Sequence, residues 1–90
     1  YTGSGFNVAE EYRDCAWFEV YAEPKNADGE SKGVQVGFNF DDGTKNEQYP
    51  SWTGYKASVN VPEGKKVVDI IINNQDHNVN MTVFYIKAHY

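Results

Sequence analysis

Ninety residues with 40% apolar content allow one modest core and a single domain spanning 1–90. The net charge of −5, with eight basic residues scattered along the chain, leaves no basic stripe to neutralise a phosphate backbone, which argues against nucleic acid as a partner. No apolar run reaches the length of about 18 residues that marks a membrane-spanning helix, and a single cysteine, Cys15, closes no internal disulfide and reads as a small strand residue.

Leu is absent, whereas seven Tyr, five Phe and two Trp accompany many Val and Ile, a composition biased towards strands. The chain starts at Tyr1 with no basic segment leading into an apolar one, so it is read as a module of a longer protein whose targeting signals lie elsewhere. YTGSG opens like a linker, and Phe6 and Val8 flank a polar Asn7 in the pattern of a short edge strand.

Residues 14–22 (DCAWFEVYA) follow. On a period of two, Ala16, Phe18, Val20 and Ala22 form an apolar face, while Cys15, Trp17, Glu19 and Tyr21 form the other. Trp17 and Tyr21 are four residues apart, roughly 13 Å at a strand rise of ~3.3 Å, so two flat rings are expected beneath an elongated ligand. Residues 23–32 are almost entirely polar and read as a solvated loop. Residues 33–40 (GVQVGFNF) alternate again, with Val34, Val36, Phe38 and Phe40 inward and Gln35, Gly37 and Asn39 outward. An antiparallel pairing of these two strands would set Gln35 and Asn39 beside Trp17, Glu19 and Tyr21.

Residues 41–54 read as a long connection opened by an Asp-Gly turn, with Trp52 expected either as a lid on the core or as a ligand contact. Tyr55, Ala57, Val59 and Val61 then alternate with polar residues, PEGK turns the chain, and residues 67–72 form a nearly continuous apolar run suited to a central strand. After a polar turn at 73–78, residues 79–88 form a closing strand with Val79, Met81, Val83 and Tyr85 opposite Thr82, Phe84, Ile86 and Ala88. Short strands with turn signals roughly every 8 to 14 residues predict an all-β antiparallel sandwich, jelly-roll-like.

The aromatic face carries the functional signal. Pyranose C–H faces are apolar and weakly positive and stack on the negative face of a ring, while amides and carboxylates at the rim match hydroxyls that both donate and accept. Trp17, Tyr21 and Trp52 are the candidate stacking residues, with Gln35, Asn39 and Glu19 as hydrogen-bonding partners. A glycosidase would need two carboxyl groups facing each other across a cleft roughly 5 to 10 Å wide, which a sandwich of this size rarely builds, so no catalytic residue is expected. His77 and His89 have no Cys or carboxylate at ligand spacing and read as surface residues, and no metal site is expected.

The run YKASVNV, PEGKK, VVDIIIN and VNMTVFYIKA resembles the closing half of the small β-sandwich carbohydrate-binding modules of bacterial plant-cell-wall-degrading enzymes. The resemblance implies a secreted, non-catalytic module, attached to a multimodular enzyme, that binds cellulose or hemicellulose (β-glucan, mannan or xylan) through an aromatic surface. Many such modules carry a structural calcium, for which no ligand set stands out here, so no cofactor is assigned. The alternative is an immunoglobulin-like structural or adhesion module that spaces domains or binds a protein.

Overall fold

The computed structural model describes residues 2–24, 34–74 and 81–90. Most of the expected loop at 23–32, most of the turn at 73–78, His77 and Val79 lie outside them. Seven strands form: β1 (Thr2–Asn7), β2 (Trp17–Pro24), β3 (Val34–Phe40), β4 (Lys45–Gln48), β5 (Lys56–Asn60), β6 (Val67–Asn74) and β7 (Met81–His89), with one 3₁₀ turn at Glu10–Tyr12. Among the described residues no helix is long and apolar enough to cross a membrane.

The strands make two antiparallel sheets, one of order β1-β6-β3-β4 and one of order β5-β2-β7. Except for the β3–β4 hairpin, each connection passes from one sheet to the other, which is the jelly-roll plan with seven strands in place of eight. The apolar run at 67–72 is central, as expected: β6 lies between β1 and β3, with Val67, Ile70 and Ile72 buried. Inward residues of both sheets meet there, and the Phe18 and Phe38 rings from opposite sheets pack 5.7 Å apart in a tilted arrangement.

The expected Asp-Gly turn is present. Gly43 takes φ +84°, a left-handed conformation in which a Cβ would be strained, and its amide donates to the Phe40 carbonyl. Asp42 closes the turn by pairing with Lys65 Nζ and accepting from the Thr44 hydroxyl and amide, contacts that hold its carboxyl well below the ordinary aspartate range.

Six expectations need correction. The opening YTGSG is not a linker from Thr2 onward: residues 2–5 belong to β1, paired with β6. β2 does not pair with β3: β3 lies between β6 and β4, and β2 between β5 and β7, because the chain changes sheets between β2 and β3. Alternation shows which face of a strand is buried but not which strand lies beside it. The connection at 41–54 holds strand β4, whose sequence KNEQ has no apolar residue and serves as a sheet edge. Cys15 is buried and Ala16 exposed, the reverse of the expected parity, because the chain bends at Ala16 and β2 begins only at Trp17. Burial pushes the Cys15 thiol up from its ordinary value. Tyr55 precedes β5 and is exposed rather than core. In β7 the register shifts opposite Tyr21/Ala22: Tyr21 pairs with Tyr85 and Ala22 with Val83, so Phe84 is an extra residue. Val83, Ile86 and Ala88 therefore pack on the core, and Tyr85 lies on the outer face.

Candidate functional site

The outer face of the β5-β2-β7 sheet gathers Trp17, Tyr21 and Tyr85, with Phe84 beside them. β2 contributes Trp17, Glu19 and Tyr21; their register partners are Asn60, Ser58 and Lys56 on β5, and His89, Lys87 and Tyr85 on β7. Matched register puts all nine on one face, because each residue points the same way as the partners directly opposite.

The rings do not lie flat. Trp17 stacks on His89 with centroids 3.8 Å apart and planes 5° from parallel, and Tyr21 stacks on Tyr85 at 5.2 Å and 7°. Neighbouring strands are about 4.8 Å apart, so paired aromatics on them come within stacking distance and cover each other instead of the sheet. A stack this close has its ring normals directed across the strands, so the rings stand upright. The tyrosine pair is capped on both sides, by Lys56 Nζ 5.5 Å from the Tyr21 centroid and by Lys87 Nζ 5.2 Å from the Tyr85 centroid. Phe84, displaced by the bulge and exposed, leans on Tyr21 at 5.1 Å and 54°.

Trp17 differs. His89 covers the side facing β7, and among the described residues no second ring lies against the side facing β5. That indole face looks along the sheet towards Asn60 and Ser58, both exposed and polar. The two upright stacks thus wall one side of a shallow surface whose floor is β5. Glu19 sits between them and accepts a hydrogen bond from the Tyr85 hydroxyl at 2.8 Å, which raises the phenol pKa above its ordinary value by favouring the protonated form. The arrangement offers an indole face with no ring against it among the described residues, the exposed Phe84 ring, a carboxylate, two ammonium groups, an amide and a hydroxyl.

The structure brings Trp17, Glu19 and Tyr21 together and separates the other three expected site residues from them. Gln35 and Asn39 lie on the outer face of the other sheet, on the far side of the core. Gln35 is only 7% exposed there: its amide nitrogen donates to Glu47 and the Tyr49 hydroxyl, and its oxygen accepts from Asn73. Trp52 packs against the core with its Nε1 3.5 Å from the Val34 carbonyl, as a lid at the sandwich margin. The expected surface role of His89 also changes: it is half-buried against Trp17, and its Nε2 is buried with no hydrogen-bond partner among the described residues.

Tyr85, His89, Lys56 and Lys87 were not among the expected site residues. For Tyr85, Lys87 and His89 the signal is the β2–β7 pairing, which the bulge at Phe84 hides by inverting the parity of half of β7, and for Lys56 it is the β2–β5 pairing. Among the described residues no group of three or more His, Cys, Asp or Glu side chains is gathered as a metal site. No protein-family model, curated protein or solved structure matches the chain.

Proposed function

We propose that this chain is a non-catalytic carbohydrate-binding module that holds a plant cell-wall polysaccharide, of β-glucan, mannan or xylan type, on the outer face of the β5-β2-β7 sheet. The observation that carries this reading is the β5-facing side of the Trp17 indole, which no ring covers among the described residues, beside the exposed, polar Ser58 and Asn60. A pyranose ring set against that indole would bury its apolar C–H face on the ring and direct its hydroxyls at Asn60, Ser58, Glu19 and Lys56. Secretion and attachment to an enzyme that degrades the polymer belong to the same proposal.

The second reading, a spacer or protein-binding module of immunoglobulin-like character, draws support from a different observation. Tyr21 and Tyr85 already have both ring faces occupied within the protein. Such internally satisfied rings stiffen a sheet without any ligand.

Affinity gel electrophoresis against soluble β-glucans, mannans and xylans separates the two. Retardation by a polymer, with a tryptophan fluorescence change that persists in a Trp52→Phe variant, supports sugar binding at Trp17. No retardation by any polymer of the panel refutes the sugar reading and leaves the spacer.

A further inference from the structure

Along β5 the candidate sugar face ends in a cation. Trp17, Glu19 and Tyr21 stand opposite Asn60, Ser58 and Lys56, so the outward row of β5 runs from beside the indole to beside the Tyr21 ring. All three β5 residues are exposed. Four residues of strand cover about 13 Å, so a chain laid along this row from Trp17 reaches the Lys56 side chain.

That ammonium is not neutralised. Carboxylates outnumber cations in the chain by thirteen to eight, and Glu19 stands diagonally across on β2. Even so, the Lys56 Nζ lies over the Tyr21 ring, 5.5 Å from its centroid, and among the described residues no carboxylate is within ion-pairing distance of it. Glu19 instead accepts the Tyr85 hydroxyl proton and raises that phenol, while Lys56 acts on the same phenol in the opposite sense. The partners of Lys56 are thus a ring face and a hydroxyl, neither of them charged. An ammonium over a ring keeps its charge, and its three N–H donors can take a further acceptor.

An exposed ammonium at the end of a sugar-binding row is matched by an anionic group on the sugar. In a plant cell-wall polysaccharide that group is the carboxylate of a uronic acid, which a lysine meets as a point charge. The surroundings limit how many such groups the polymer can carry. Glu19 and Glu23 share the outward parity of β2, and the net charge is −5, so a polymer charged at every ring meets repulsion here. A mostly neutral chain with occasional charged residues fits, one neutral ring against Trp17 and one uronic acid at Lys56.

We propose that the polysaccharide held on this face has a neutral backbone sparsely substituted with uronic acids, and that Lys56 pairs with one of their carboxylates while a neutral ring lies against Trp17. The proposal rests on the sugar reading given above and adds the substituent that the face selects. Lys56 is then the residue that discriminates between polymers sharing a backbone.

The test is calorimetric titration of the protein with glucuronoxylan and with the same polymer after its carboxyl groups are reduced to hydroxymethyl groups. An exposed ion pair strengthens binding by at most about fivefold, so at about 10 mM salt the native polymer is expected to bind about three- to fivefold more tightly than the reduced one. The preference should vanish in Lys56→Gln, persist in Lys56→Arg, and fade in about 1 M salt, where charges act over only ~3 Å. Circular dichroism checks the fold of each variant. Polygalacturonate, charged at every ring, is expected to bind more weakly than glucuronoxylan. Equal affinity for the native and reduced polymers, a preference that survives Lys56→Gln, or tighter binding of polygalacturonate overturns the proposal and leaves the sugar reading standing. No binding to either form of the xylan overturns it as well, and retardation by the neutral polymers of the electrophoresis panel then tells whether the sugar reading survives.

Discussion

Replacing Trp17 by Ala tests the indole face that no ring covers among the described residues. An indole buries at most about 250 Å², and a sugar laid on a single face covers roughly a third of that, ~80 Å². At ~25 cal/mol per Å² this is about 2 kcal/mol, or about 30-fold in affinity. The same substitution removes the stack on His89, which contributes about 0.5–1.5 kcal/mol to stability and so costs roughly 2–12 °C in melting temperature for a domain of this size. The variant therefore remains folded at room temperature, and titration there of the best-binding polysaccharide, with circular dichroism as the fold control, reads affinity alone. A dissociation constant within threefold of the parent, in a variant with an intact spectrum, would refute the role given to Trp17. Retained affinity in Trp17→Phe alongside its loss in Trp17→Ala would show that the contact needs a flat face and not the indole N–H.

Other consequences follow from single contacts. His89→Phe keeps a ring against Trp17 and removes the buried, unpartnered Nε2, so stability is expected to rise by about 1 kcal/mol, seen as a higher urea midpoint with an unchanged slope. The Tyr85 phenol titrates above its ordinary value of 10.0 because Glu19 accepts its proton, and in Glu19→Gln the midpoint should move down on tyrosine ring-carbon NMR. The sign for stability follows: the folded protein holds this proton more tightly than the unfolded chain, so the contribution is full at neutral pH and is lost as pH rises past the unfolded value of about 10. Phe38→Ala, at the meeting point of the two sheets, should cost about 3–5 kcal/mol in urea denaturation, a large part of a net stability on the order of 5–15 kcal/mol. A cost below about 1 kcal/mol would mean the core is not closed around that ring.

The strands with one apolar face were legible because burial writes a period of two into the chain: β2, β3 and the inward positions of β5 all appear as alternation. β6 was legible for a different reason, since a central strand between two others is apolar along most of its length. β4 was not, because a polar edge strand held by backbone bonds leaves no apolar trace in KNEQ. The site divided in the same way. Trp17, Glu19 and Tyr21 belong to one strand, so their shared face could be read from one segment. Gln35 and Asn39 were assigned by guessing a neighbour, and sequence proximity of β2 and β3 misled because the chain changes sheets between them. Tyr85 and His89 were missed because one unmatched residue inverts the parity along β7.

That unmatched residue also determines where β7 can lose length. Val83 and Tyr85 are matched to the adjacent residues Ala22 and Tyr21, so removal of Phe84 would join two stretches already in phase and leave both ladders intact. Removal of Thr82 or Lys87 would instead rotate the strand beyond the cut by half a period and turn core side chains outward. Position 84 is thus a joint between two reading frames of one strand, and homologous chains that differ by a residue here can share the same core and the same outer face.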